Sequence, residues 1–318
     1  MSRRPGGPPP QPTSAQKGTL SHHTDPRENR RSIDGLPPLR EVLASHNLGA
    51  KKNLGQNFIL DLNLTAKIAT LAGSVKDRLV VEVGPGPGGL TRALLHAGAR
   101  CVIAVERDER CLPALREIAD HWPGRLYVHA ADALATDWPA LIAPHLGDAD
   151  DKPLIVANLP YGIATKLLIG WLETDPWPPW FAGMALMFQR EVADRIVAPP
   201  STKAYGRLAV ISQWRCACEI AMTLGPEAFT PPPKVSSAVV HFTPLNNPQP
   251  ACDVKNLGNM SRVLFNQRRK MLRATLKPVF KNPEAVLQSL GLDPTARAET
   301  LSVSQIASLA ISLEQRNL

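Results

Sequence analysis

Leu79-Val-Val-Glu-Val-Gly84-Pro-Gly86-Pro-Gly88-Gly89-Leu-Thr-Arg-Ala-Leu-Leu-His-Ala97 is the stretch that decides the fold. A short apolar, β-branched run enters a glycine-rich loop, and the loop enters an apolar pattern of helical period. Strand, tight turn and helix in that order make the first unit of an open α/β sheet. Glycine lets the backbone take positive φ and approach a ligand closely. Gly84, Gly86 and Gly89 also satisfy the G-x-G-x-x-G spacing of nucleotide-binding turns.

The same alternation continues on both sides. A helix-like stretch, Leu62 to Leu71, precedes the unit. Beyond it come a strand at Cys101–Val105, a helix at Cys111–Ala119, and strands at Leu126–His129, Leu154–Ala157 and Met184–Phe188. A helix is expected from Glu191 to Val197. Short apolar strands separated by helix-length segments predict a mostly parallel sheet covered on both faces. Two more β-like runs, Trp214–Thr223 and Ser237–Phe242, are expected to pair as an antiparallel edge, which brings the sheet to seven strands. Pro244, Pro248 and Pro250 then mark a linker into a small all-helical domain. Its helices are expected at Met260–Leu276, from Asn282-Pro283 to Gly291, and from Ser302, where Gln305 completes a capping box. The expected organisation is a Pro-rich disordered tail over residues 1–35, a catalytic domain over 36–247 and a helical domain over 248–318.

Composition narrows the class. Of 318 residues, 44% are hydrophobic, enough for a sizeable core, and no apolar run is long enough to span a membrane. The five cysteines fit neither zinc-ligand nor disulfide spacing, so they read as reduced thiols. The tail lacks the apolar centre of a secretory signal, and Pro5, Pro8, Pro9, Pro10 and Pro12 oppose the amphipathic helix of a transit peptide. That favours a cytoplasmic protein over one of the mitochondrial matrix. The formal charge is +8, and residues 254–283 alone carry eight basic and no acidic side chains. Such a stretch suits a polyanion.

Two acids recur at successive strand ends. Glu106 closes the strand after the glycine loop, where a carboxylate can accept from both hydroxyls of a ribose. Asp132 follows the next strand and can accept from an adenine amino group. These features alone allow a nicotinamide dinucleotide, and hence an oxidoreductase, as readily as S-adenosylmethionine. Asn158-Leu159-Pro160-Tyr161, at the carboxyl end of the Leu154–Ala157 strand, separates the two. An exocyclic adenine amine is a weak nucleophile, because its lone pair is delocalised into the ring. The Asn158 amide oxygen and the main-chain carbonyl of Leu159 or Pro160 can accept its two N–H bonds and steer the lone pair. Tyr161 can stack on an extruded base. Here the chain resembles the N6-adenine methyltransferases, whose signature is [N/D/S]-[I/P/L]-P-[Y/F].

Further segments resemble the ribosomal RNA adenine dimethyltransferases, and within them the bacterial small-subunit branch. Lys52-Asn-Leu-Gly55-Gln56-Asn57-Phe58-Ile59 is similar to K-x-x-G-Q-N-F-L, and Phe188-Gln-Arg-Glu191 to the start of a family helix. Lys203-Ala-Tyr-Gly206-Arg207-Leu208 matches K-A-Y-G-R-L, Phe229-Thr-Pro-Pro-Pro-Lys234-Val235 matches F-x-P-P-P-K-V, and Phe265-Asn-Gln-Arg-Arg-Lys270 resembles F-N-Q-R-R-K. The resemblance implies a Rossmann-like class I methyltransferase fold and S-adenosylmethionine as cofactor. It implies Gln56, Asn57 and Ile59 at the methionine end of the cofactor site, and Phe229 packed on the target base. The implied reaction is dimethylation of two adjacent adenosines near the 3′ end of small-subunit ribosomal RNA, with the immature small subunit as partner and the chain a monomer. A non-enzymatic clamp on immature subunits is compatible with the same resemblance. The family often has Asn where Gly162 stands, which predicts a looser base pocket.

Arg262, Arg269 and Arg273 are spaced by seven and four and are expected to share a helix face, widened by Arg268, Lys270 and Lys277 into a phosphate-binding stripe. Trp171, Trp177 and Trp180 read as loop packing, Cys216 and Cys218 as core, and His22-His23 as solvated. No metal-ligand spacing is present.

Overall fold

The computed structural model describes residues 1, 32–51, 55–147 and 151–314. His22, His23 and the rest of 2–31, and Lys52 of the glutamine-bearing segment, lie outside the described residues.

The chain forms α1 (Leu39–Ser45), α2 (Leu62–Ala69), β1 (Leu79–Val83), α3 (Gly89–His96), β2 (Cys101–Glu106), α4 (Leu112–His121), β3 (Leu126–Ala130), α5 (Trp138–Ile142), β4 (Leu154–Ala157), α6 (Tyr161–Leu172), β5 (Gly183–Gln189), α7 (Arg190–Ile196), α8 (Arg207–Arg215), β6 (Cys216–Leu224) and β7 (Ser237–Pro244). It ends in α9 (Val254–Asn266), α10 (Leu272–Thr275), α11 (Pro283–Ser289) and α12 (Val303–Glu314). One seven-stranded sheet runs in the order β3-β2-β1-β4-β5-β7-β6. The first five strands in that order pair in parallel, while β7 pairs antiparallel to both β5 and β6. The strand order reverses between β1 and β4, and such switch points open a crevice at the carboxyl ends of the strands.

Burial follows the pleat. Leu79, Val81 and Val83 face one core, with α6, α8 and the C-terminal helices. Val80 faces the other, with the helices α2 to α4. β1, β2 and β4 are buried on both faces, which is why they read as continuous apolar runs. The terminal strand β6 alternates between exposed and half-buried residues.

Several expectations are revised. Trp171 lies in the buried face of α6, not in a loop, whereas Trp177 and Trp180 do lie in the loop after α6. The run expected as a strand from Trp214 begins as the last turn of α8, and β6 starts only at Cys216. Residues 32–35, assigned to the tail, fold back onto the sheet's helices. The Asp34 carboxylate takes two hydrogen bonds from the Arg92 guanidinium, and the two side chains are 3% and 1% exposed.

The helix expected over 260–276 is broken between Asn266 and Leu272. There the backbone leaves the helix to pair with a distant strand-like segment. Met271 bridges Arg297, and the Leu272 and Arg273 amides donate to Ala296 and Pro294 carbonyls at 2.8 and 3.0 Å. The helical part also shares its core with the sheet: Leu257, Met260, Leu264 and Ile306 belong to the same buried cluster as Val210 and Phe242. The capping box forms as expected, with the Ser302 amide donating to Gln305 Oε1 at 2.8 Å and the Gln305 amide to Ser302 Oγ at 3.2 Å. Among the described residues no helix is long and apolar enough to cross a membrane.

Candidate active site

The glycine loop, the ends of β1, β2 and β4, and the segment 55–59 enclose a cavity of about 360 Å³ at the switch point. Gly86 shows why the loop needs glycine. Its φ is +56°, and a Cβ there would lie 2.9 Å from the Phe58 ring. Gly88 is left-handed at +88° as it caps α3, and a Cβ would meet Ile118 Cδ1 at 2.1 Å.

Of the residues expected to hold a cofactor, Gln56, Asn57, Ile59, Gly84, Gly86, Glu106 and Asn158 all line this cavity. Glu106, at the end of β2, takes the Gly86 amide on Oε2 at 2.9 Å and the Asp108 amide on Oε1 at 2.7 Å. Burial raises its pKa, and those two donors oppose the rise. Asp132 does not line the cavity. It accepts the Leu134 amide at 2.9 Å and lies 3.4 Å from Arg107, which does line it. The ion pair is a feature of two strand ends meeting and has no sequence signature.

Two acids that sequence reasoning passed over also line the cavity. Glu82 is the single charge in an otherwise apolar strand, a signal that was available. It is 1% exposed, accepts from Thr91 Oγ1 at 2.6 Å, and burial pushes its pKa up to about 8. Asp108 is held by Arg110 through Nε at 2.9 Å and by Gln56 Nε2 at 2.9 Å, and these bonds bring its carboxyl down to about 2. Arg110 also reaches the Gly49 carbonyl at 3.2 Å, so one guanidinium ties the segment before the cavity to β2's end. Only the tertiary structure could bring Gln56 and Asp108 together.

Asn158, Leu159, Pro160 and Tyr161 line the same cavity. Asn158 Nδ2 donates to the Asn57 carbonyl at 3.1 Å. The amide's oxygen points away from its nitrogen, so this bond turns Oδ1 away from Asn57. The Pro160 carbonyl accepts from the Ile163 and Ala164 amides at 3.0 and 3.1 Å as α6 begins. Leu159, outside that helix, therefore keeps the freer carbonyl of the two. The Tyr161 hydroxyl lies 2.5 Å from Ser237 Oγ. Gly162 also lines the cavity, and a Cβ there would meet nothing within 4 Å.

Phe229 is placed differently from the expectation. Its side chain is 3% exposed within the core on the α2–α4 side, and it does not line the cavity. Beside Tyr161, the aromatic residue that does so is Phe58, whose amide and carbonyl exchange bonds of 2.9 and 2.8 Å with Thr230.

The cationic stripe is only partly available. Arg268 turns inward to Glu299 at 2.7 Å and to the Lys203 carbonyl at 3.0 Å, and Arg273 lies 3.6 Å from Glu284. No acid lies within the stretch, but acids from later segments reach back to it. Arg262, Arg269, Lys270 and Lys277 are exposed. Because the helix breaks after Asn266, the seven-and-four spacing no longer defines one face. Among the described residues no cluster could hold a metal ion.

A cavity at the switch point, acids at its strand ends and an Asn-Leu-Pro-Tyr turn opening onto it define a class I adenine-amino methyltransferase. Residues 47–315 match the ribosomal RNA adenine dimethylase family, and the chain belongs to that family. It is 58% identical over 282 residues to the ribosomal RNA small subunit methyltransferase A of Mesorhizobium japonicum, covering 89% of this chain and all of that one. The protein of the same name from Xanthobacter autotrophicus is 55% identical, over 89% of this chain and 96% of its own. Among solved structures, a dimethyladenosine transferase from Plasmodium falciparum shares the fold, with a TM-score of 0.66 at 23% identity over 80% of this chain and 96% of that one. The 23S rRNA methyltransferase ErmE gives a TM-score of 0.61 at 26% identity over 81% of this chain and 100% of its own. The activity is S-adenosylmethionine-dependent dimethylation of adenine in ribosomal RNA. The cavity suits that cofactor on its own chemistry. Glu82, Glu106 and Asp108 surround it with carboxyl groups, which complement a sulfonium and an ammonium, and its glycines leave room a Cβ would fill.

Proposed function

We propose that the chain dimethylates two adjacent adenosines near the 3′ end of small-subunit (16S) ribosomal RNA. The observation that carries this reading is the Asn158–Tyr161 turn opening onto the same cavity as Glu106 and the glycine loop. The small-subunit relatives and the K-A-Y-G-R-L and F-N-Q-R-R-K segments support the choice of RNA.

Gln56, Asn57, Ile59, Gly84, Gly86, Glu106 and Asp108 would hold the cofactor, with Asp132 at the rim beside Arg107. When bound, S-adenosylmethionine supplies an electrophilic methyl carbon on sulfur. Asn158 Oδ1 and the Leu159 carbonyl accept the two N–H bonds of the target amine and hold its nitrogen as it pyramidalises. The Asn57 carbonyl keeps the Asn158 amide in the orientation this needs. Tyr161 offers a ring on which the extruded base stacks. After the first transfer one N–H remains, so the second round relies on one acceptor and on the stack. Arg262, Arg269, Lys270 and Lys277 contact RNA phosphates, while Arg268 and Arg273 buttress the helical part. In this reading the protein acts as a monomer on the immature small subunit in the cytoplasm; the bacterial small-subunit methyltransferases it resembles support the choice of subunit.

The test is incubation with labelled S-adenosylmethionine and unmodified small subunits, followed by mapping of the modified nucleotides. Two neighbouring dimethyladenosines near the 3′ end are expected, and label confined to large-subunit RNA would overturn the reading. Asn158→Ala should abolish transfer while S-adenosylhomocysteine still binds. Retained turnover would remove Asn158 from the mechanism.

A further inference from the structure

We propose that Ser237 is a positioning residue for methyl transfer: its hydroxyl holds the Tyr161 ring in the attitude that receives the target base. The inference rests on Tyr161 being the stacking platform.

Tyr161 stands at the first position of α6, directly after Pro160, where its ring lines the cavity half-buried. The Tyr161 hydroxyl lies on the χ2 axis, so a bond to it limits the swing of the whole ring between χ1 rotamers. A stacking platform must be held against that swing. The only contact on its hydroxyl among the described residues is Ser237 Oγ at 2.5 Å.

Ser237 is itself built into the sheet. It is 0% exposed and opens β7, with Gln189 of β5 as its partner on one side and Leu224 of β6 on the other. The next residue back contributes as well, its carbonyl taking the Arg190 amide at 2.9 Å. A serine whose backbone is paired on both sides therefore anchors a ring at the start of another element. This also gives the antiparallel edge a part in catalysis, because β7 is the strand that carries the anchor to the cavity.

The consequence is sharper for the second methyl than for the first. The unmodified amine has two N–H bonds to be held, while the monomethylated amine has one. As that grip weakens, correct placement depends more on the stack. Loss of the Ser237 bond should thus leave monomethylated product behind.

The test compares Ser237→Ala, Tyr161→Phe, the double variant, Ser237→Thr and Tyr161→Ala in the full chain, on unmodified small subunits. Ser237→Ala and Tyr161→Phe break the same bond from opposite ends. Each should slow transfer by about 3- to 10-fold, the range of one hydrogen bond, and the double variant should be no slower than either. Both should raise the monomethyl-to-dimethyl ratio. Ser237→Thr should restore dimethylation, and S-adenosylhomocysteine affinity should stay unchanged throughout. An RNA with 2-aminopurine at the target position should lose stacking-induced quenching in Ser237→Ala. Multiplicative losses in the double variant, or unchanged quenching and product ratio in Ser237→Ala, overturn the proposal. Tyr161→Ala separates the two levels. If it leaves quenching and rate intact, the stacking role itself fails; if it abolishes both while Ser237→Ala changes neither, only the role of Ser237 fails.

Discussion

Glu82→Gln should make the cofactor-free protein more stable at neutral pH, and the gain should vanish in acid. The Glu82 carboxyl is fully enclosed on β1, with Thr91 as its partner, and burial moves its pKa from the ordinary 4.5 to about 8. Between those values the unfolded chain gives up a proton that the folded chain keeps. The unfolded state then binds fewer protons, so stability falls as pH rises, beginning near 4.5 and levelling above about 8. Each tenfold step in acidity is worth about 1.4 kcal/mol, which puts the whole penalty near ~5 kcal/mol and the penalty at pH 7 near ~3 kcal/mol. Glutamine keeps the shape and has no proton to lose. Urea denaturation of both proteins at pH 5, 7 and 8.5 reads the difference directly. It should widen by about 2–3 kcal/mol from pH 5 to 7 and by about 1 more by pH 8.5. Parallel stability profiles would refute the reasoning. The same carboxyl should ionise when a cofactor bearing a sulfonium and an ammonium enters. Titration with S-adenosylmethionine near pH 7 should therefore release a proton from the natural protein and not from the variant, as calorimetry in buffers of different ionisation enthalpy would record.

Other perturbations test other parts of the structure. Gly88→Ala imposes a left-handed alanine and a clash with Ile118, and should cost more than about 2 kcal/mol of stability in denaturant titration. Asp34→Ala leaves the Arg92 guanidinium buried without its carboxylate, and should cost about 3–5 kcal/mol by the same measurement. Arg268→Ala should lower the melting temperature through loss of its partly exposed pair with Glu299, worth about 1 kcal/mol, with little change in the salt dependence of RNA binding. Arg269→Ala should do the reverse, reducing the slope of log affinity against log salt by about 1. An identical response from the two arginines would contradict the structure.

Legibility in the sequence tracked the range of the interactions involved. β1 and β4 were readable to the residue, because strands buried on both faces are continuous apolar runs bounded by turn residues. The helix over 260–276 was misread because its break comes from pairing with residues 294–297, more than twenty positions away. The arginine stripe failed for a related reason: Glu284 and Glu299 approach it only through folding.

Taken alone, the sequence determined the strand–glycine–helix unit, the acid at the end of β2 and the Asn-Leu-Pro-Tyr turn, since each is a local pattern whose chemistry depends on neighbours along the chain. Tertiary structure alone decided that Asp108 joins the cavity beside Gln56, that Phe229 is buried while Phe58 lines it, and that a serine on β7 meets Tyr161. These are contacts between segments brought together by the crossing of strands, and no spacing along one strand encodes the distance to another.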